Sequence, residues 1–110
     1  MNIIWTIHSR DKMRFYRLSE NRIKRVINNP KRKELGIAPG TVAVMQPASV
    51  SRLRRGKPTY EIWAMYLNLK GGKIKVITAW RYPGKSPIRG PIPIPLEILE
   101  ELGEIYNSPC

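Results

Sequence analysis

Residues 60–81 read YEIWAMYLNLKGGKIKVITAWR, two extended runs rich in β-branched and aromatic residues joined by Gly71-Gly72. A Gly-Gly pair tolerates positive φ at both central positions, which a tight two-residue hairpin turn requires. With the turn at Lys70-Gly71-Gly72-Lys73 the register follows. Leu69 is expected opposite Ile74, Leu67 opposite Val76, Met65 opposite Thr78, Trp63 opposite Trp80 and Glu61 opposite Tyr82. Because side chains alternate along a strand, these pairs share one largely apolar face. The other face pairs Asn68 with Lys75, Tyr66 with Ile77, Ala64 with Ala79 and Ile62 with Arg81, with Tyr60 beyond. The first face is expected to be core. The second is half apolar and carries Tyr60, Tyr66, Lys75 and Arg81. A slip of one residue would exchange the faces, so the turn decides the assignment.

A chain of 110 residues supports one domain with one core. Its charge is unevenly placed: all 20 Lys and Arg fall between Arg10 and Arg89, whereas four of the eight acids (Glu97, Glu100, Glu101 and Glu104) lie in residues 91–110. Residues 1–90 therefore carry +16 and residues 91–110 carry −4, for a net +12. Such a basic density points to a polyanionic partner such as nucleic acid, with an anionic membrane or an acidic protein as weaker fits. The one cysteine, Cys110, excludes an internal disulfide and a cysteine-built metal site. No apolar run reaches the ~20 residues that cross a bilayer, and the first ten residues lack a signal-peptide pattern. A cytoplasmic location is expected.

Along the chain, residues 2–7 (NIIWTI) read as a short buried strand. Ser9 is the expected N-cap of a short helix from Arg10 to about Tyr16, with Met13 and Tyr16 or Phe15 inward. Ser19 caps a second helix, in which Ile23, Val26 and Ile27 form an apolar stripe; Asn28-Asn29-Pro30 stops it. Lys31-Arg32-Lys33 follows as a basic loop, then residues 41–46 as a strand. Residues 47–58 (PASVSRLRRGKP) read as an exposed basic loop. Pro83, Pro87, Pro91, Pro93 and Pro95 make residues 82–95 a semi-rigid strap. A last helix follows, with Leu96, Leu99, Leu102 and Ile105 on one face. The fold class is therefore α+β: two short N-terminal helices packed on one face of a small antiparallel sheet of about four strands, with a Pro-rich strap and a short C-terminal helix. Residues 1–90 form the basic body; residues 91–110 are an acidic extension of the same domain. The hairpin face with Trp63, Met65, Leu67, Val76 and Trp80 is expected to pack on Ile23, Val26 and Ile27.

Several short motifs stand in a recognisable order. They are His8-Ser9-Arg10-Asp11-Lys12-Met13 after the first strand, Leu18-Ser19-Glu20, then Val26 and Pro30, and Ala79-Trp80-Arg81 closing the last strand. Over residues 3–82 this order resembles the RelE/ParE-like toxin superfamily, of barnase-like small-ribonuclease architecture. It is most similar to a His-containing branch with the pattern His-Ala-x-x-Arg-Met-x-x-Arg-Gly-Ile. Here Ser9 stands for the Ala, Lys12 and Tyr16 for the two Arg, and Arg17 for the Gly. The resemblance implies a cytoplasmic, metal-independent endoribonuclease that needs no cofactor. It implies action on mRNA at the ribosome, inhibition of translation and neutralisation by an antitoxin protein. Its working groups would be basic, aromatic and His residues on an open sheet face.

Metal-free RNA cleavage needs a base for the 2′-hydroxyl, an acid for the leaving oxygen and cations for the charge that builds on phosphorus. His8 is the one histidine, the residue whose unperturbed pKa lies near neutrality. Arg81 offers a planar fork that suits phosphate, and Tyr66 shares its face. These three are the catalytic candidates. Tyr60 could stack on a base. Lys75, with Lys31, Arg32 and Lys33 and with Arg52, Arg54, Arg55 and Lys57, would position the phosphate backbone. Glu61 points to the core side and ranks low as a base. Two other functions fit the composition: a non-catalytic RNA- or ribosome-binding protein of the same fold, and a protein-interaction module. The acidic C-terminal helix could also lie over the basic face and compete with RNA, or simply extend the core.

Overall fold

A computed structural model describes residues 2–37, 39–48, 60–87 and 91–107, with side chains through residue 103. The elements in order are β1 (Asn2–Trp5), α1 (Ile7–Tyr16), α2 (Glu20–Asn28), β2 (Arg32–Leu35), β3 (Thr41–Ala48), β4 (Tyr60–Asn68), β5 (Lys73–Pro83) and α3 (Leu96–Asn107). The fold is α+β, as expected, but the sheet is larger and mixed. Five strands run in the order β1-β5-β4-β3-β2, with β1 parallel to β5 and every other pair antiparallel. The fifth strand is β2, where a basic loop was expected. Its sequence, RKEL, has no apolar alternation to announce it. Charged residues on an edge strand guard its open hydrogen-bonding side, and β2 is such an edge.

The hairpin between β4 and β5 holds the expected register over its far half: Glu61 faces Tyr82, Trp63 faces Trp80, and Met65 faces Thr78. The near half differs by one. A three-residue turn, Lys70–Gly72, joins the strands, with Leu69 N–H donating to the Lys73 carbonyl at 2.8 Å. Gly71 and Gly72 both take positive φ, 77° and 74°. The extra turn residue moves Tyr66 opposite Val76 and Asn68 opposite Ile74, and a bulge restores the outer register by leaving Ile77 unopposed. Ile74 and Val76 consequently point to the opposite face from the one expected for them.

The two faces are also covered differently from expectation. One carries Ile62, Ala64, Tyr66, Val76 and Ala79 and packs beneath Met13 of α1 and Ile23 and Val26 of α2. The other carries Met65, Ile77 and the stacked pair Trp63–Trp80, whose rings lie 5.7 Å apart and 2° from parallel. That face is closed by Ile98 and Leu102 of α3, with Ile92 and Ile94 of the strap. The indoles thus pack on the C-terminal helix and not on Ile23, Val26 and Ile27. The sheet has two cores where one covered and one open face were expected. Among the described side chains of α3 the buried ones are Ile98 and Leu102, one helical turn apart, whereas Leu96 is 68% exposed; Ile105 lies outside them.

Local chemistry sets the helix ends. Thr6, not Ser9, caps α1: its Oγ1 accepts from Ser9 N–H at 3.0 Å and donates to the Val76 carbonyl at 3.0 Å. One residue thereby ends β1, starts the helix and ties both to β5. Ser9 is wholly buried and donates to the Thr6 carbonyl at 2.8 Å. Ser19 caps α2 as expected, accepting from Arg22 N–H at 3.1 Å. Between them Arg17 closes α1 in the left-handed region at φ 57°, a conformation that favours glycine.

Two stability predictions follow from this packing. Ile98→Ala should cost about 2–5 kcal/mol in urea unfolding, as for a buried aliphatic residue in a shared core; a loss below about 0.5 kcal/mol would mean that α3 is not part of the core. Arg17→Gly should stabilise by about 1 kcal/mol in the same measurement, because glycine relieves the left-handed strain.

Candidate functional site

Starting α1 at Ile7 puts His8 in the first turn of the helix, beside β5 and beneath α3. Its ring is fixed from both sides. Nδ1 lies 3.1 Å from Glu101 Oε2 of α3, and Nε2 lies 3.0 Å from Thr78 Oγ1 of β5. Lys12, one turn along α1, donates from Nζ to Glu101 Oε1 at 2.7 Å. The carboxylate requires a proton on Nδ1, so neutral His8 accepts at Nε2 from the Thr78 hydroxyl. The seam is tight: the His8 and Lys12 side chains are 12% and 13% exposed, and Glu101 is 40% exposed.

The His8 pKa lies below its ordinary 6.5. Burial, which disfavours the imidazolium, is the largest cause; Lys12 acts in the same sense, while Glu101 and Asp11 oppose it. The Tyr16 phenol is shifted upward, first by burial and then by Glu97.

A hydroxyl–imidazole–carboxylate chain is the arrangement that activates a nucleophile in acyl transfer. Thr78 is 0% exposed, however, so no substrate atom can reach its oxygen. In this arrangement the chain acts as a brace that joins α1, β5 and α3.

The other catalytic candidates lie elsewhere. Arg81 stands opposite Ile62 on the face beneath α1 and α2, its guanidinium carbon 4.6 Å from the centre of the Tyr60 ring. Tyr66 is on that same face at 6% exposure, buried in the first core. The expected open face does not exist: α1 and α2 cover the side that carries Tyr60, Tyr66 and Arg81, and the register shift turns Lys75, opposite Leu67, to the other side. His8 meets Thr78, whose partner Met65 belongs to the opposite face. The three candidates are thus divided between the two sides of the sheet. Lys75 is half-buried near the hairpin tip, between Ile4 of β1 and Leu67 of β4. Arg52, Arg54, Arg55 and Lys57 lie outside the described residues.

A second cluster surrounds β2. Arg32 is 11% exposed at its side chain and donates to Ser86 Oγ at 3.1 Å and to the Pro87 carbonyl at 2.9 Å. Its guanidinium carbon sits 5.3 Å from the centre of a Trp63 ring. Beneath it Glu61, 2% exposed, accepts from Trp63 Nε1–H at 3.1 Å and from Ser86 N–H at 3.2 Å. Lys31, Arg32, Met45, Glu61, Lys85 and Ser86 line a cavity of about 270 Å³. Lys31 and Lys33 are exposed, but Lys33 stands in β2 and not in the expected loop.

Sequence reasoning did not find Thr78 and Glu101 beside His8, nor Lys85 and Ser86 beside Arg32. One signal was present, a single carboxylate, Glu61, on the apolar face of the hairpin. The partners come from the strap and α3, whose docking no local pattern encodes. Among the described residues there is no cluster of three metal-binding side chains, and no helix is long and apolar enough to cross a membrane. Comparison with protein-family models, curated proteins and solved structures gives no match.

The histidine makes a checkable prediction. Because the folded pKa lies below the unfolded one, the unfolded chain takes up the proton first as pH falls. Stability should therefore be flat above about pH 7 and decline as pH drops through 6.5 towards the folded pKa. NMR titration of the single histidine should give a midpoint below 6.5, and His8→Gln should remove this part of the pH slope. A midpoint above 6.5 would mean that Glu101, not burial, controls the ring.

Proposed function

We propose that this is a cytoplasmic RNA-binding protein that grips the phosphate backbone through its basic body without cleaving it. The observation that supports this reading best is the division of His8 from Arg81 and Tyr66 across the sheet. Concerted cleavage needs its base, acid and cations around one phosphate, and these three residues surround none. Binding has no such requirement. A net charge of +12, with exposed Lys31, Lys33 and Lys85, supports electrostatic capture of a polyanion.

The second reading is a toxin-like endoribonuclease that acts on mRNA at the ribosome, inhibits translation and is neutralised by an antitoxin. It rests on the motif order and on one geometric feature, the single orientation in which Thr78 and Glu101 hold His8.

Fluorescence anisotropy with a short single-stranded RNA separates these readings. Four phosphate contacts would weaken binding about 50-fold between about 50 and 200 mM salt. The same RNA should stay intact on long incubation and in the presence of translating ribosomes. Binding insensitive to salt would favour a protein-interaction module. Cleavage lost in both His8→Ala and Arg81→Ala would establish the endoribonuclease.

A further inference from the structure

We propose that the cavity beside β2 is a phosphate-binding site that takes a phosphoryl group between Lys31, Arg32, Lys85 and Ser86. The proposal rests on the RNA-binding reading only for the source of that phosphate, not for the site itself.

The charge of the cavity selects the ligand class. Three cations and one carboxylate line it, and Glu34, 3.6 Å from Arg32 Nε, brings the local excess to +1. A metal cation or a cationic peptide would meet net repulsion there, and an anion meets net attraction. The groups are also arranged as a built site. Arg32 is held by Ser86 Oγ and the Pro87 carbonyl and lies over Trp63, so its position costs little entropy on binding. Ser86 is 4% exposed; its oxygen accepts from Arg32, and among the described residues its hydroxyl hydrogen has no acceptor. The Lys31 and Lys85 ammonium groups likewise have no partner among the described residues. One buried hydroxyl donor and two exposed ammonium-bearing side chains therefore line one concave space. That is the donor set a phosphate takes up, with each bond charge-assisted.

Glu61 supplies the geometry. Its carboxylate accepts from Trp63 and from the Ser86 backbone, which ties the start of the strap to β4. Ser86 in turn places Arg32. Both carboxylate oxygens are engaged inside the protein, so Glu61 acts as a strut and its partners carry the donors. A terminal phosphate monoester suits the site better than an internal diester. It brings more negative charge, and a walled cavity admits a chain end more readily than a through-running strand.

The test uses the full chain and two double variants that remove equal charge. Lys31→Ala/Lys85→Ala strips the cavity rim. Arg14→Ala/Lys70→Ala removes two cations remote from it, on the exposed side of α1 and at the hairpin tip. Inorganic phosphate is titrated against chloride at constant ionic strength and followed by calorimetry. Phosphate should bind the native protein and the Arg14/Lys70 variant alike, and the Lys31/Lys85 variant at least about tenfold more weakly, as for the loss of charged hydrogen bonds. Absence of phosphate binding to the native protein, or equal loss in both variants, overturns the site. Thermal unfolding of each variant in phosphate-free buffer shows whether the fold is retained. Should the Lys31/Lys85 variant be unfolded, Lys85→Gln carries the test with the same expected and overturning results.

The source is then read with one RNA decamer carrying either a 5′-phosphate or a 5′-hydroxyl. Tighter binding of the phosphorylated form, erased in the Lys31/Lys85 variant, identifies an RNA end. Equal binding of the two forms, with inorganic phosphate still bound, identifies a free phosphate or nucleotide and leaves the site standing. If phosphate binds and neither RNA does, the RNA-binding reading fails and the site survives.

Discussion

The stacked indoles of Trp63 and Trp80 set the terms for the rest of the structure. They sit side by side on the central strand pair, both wholly buried. Two indoles bury several hundred Å² between them, too large an apolar area to leave in water. The N-terminal helices cannot cover them, because the opposite face of the same strands also needs a cover. The chain must therefore return with a second layer. The strap and α3 supply it, and Ile98 and Leu102 complete the second core. The acidic helix is thus a structural wall whose Glu101 happens to meet the basic edge of α1, and its removal would expose the indoles.

That second layer also shapes both polar clusters. On one side of the indoles, α3 brings Glu101 to Lys12 and His8 and converts a lone histidine into a brace. On the other, Trp63 Nε1–H reaches Glu61, which holds Ser86, which holds Arg32. The same ring that requires the covering layer thereby anchors the wall of the basic cavity. In this arrangement the polar groups near His8 satisfy one another, whereas beside Arg32 the Ser86 hydroxyl hydrogen and the Lys31 and Lys85 ammonium groups have no partner among the described residues. The phosphate site proposed above uses the second group.

Much of this fold was legible in the residues, and the parts that were not share a cause. Gly71-Gly72 marked the hairpin, and alternation marked its pairs from Glu61–Tyr82 to Met65–Thr78. The bulge at Ile77 was hidden because turn length and bulge compensate: both the two-residue and the three-residue turn give the same outer register. The Ser19 cap and the Ile23 and Val26 stripe are local signals and survived. The cover of each face is a long-range property, so the assignment of Trp63 and Trp80 to α2 failed, and with it the open site of Tyr66 and Arg81. The β2 strand failed for a related reason: RKEL is a strand by virtue of its neighbour β3, not its own composition. At the sites, the chemistry-bearing types His8, Arg32 and Glu61 were visible, but their partners Thr78, Glu101 and Ser86 lie 25 or more residues away in sequence.

The proposed meeting place of the polyanion is the cavity of Arg32 and Lys85 and not the His8 seam. Amide and indole NMR spectra recorded while a 5′-phosphorylated RNA decamer is added test it most directly. The Trp63 indole and the Ser86 amide both donate to Glu61 and report on the cavity, whereas the Ser9 amide donates to Thr6 and reports on the seam. The expected result is a saturable shift of the Trp63 and Ser86 signals with little change at Ser9 and at the His8 ring. Shifts centred on His8 and α1, with Trp63 and Ser86 unmoved, would contradict it.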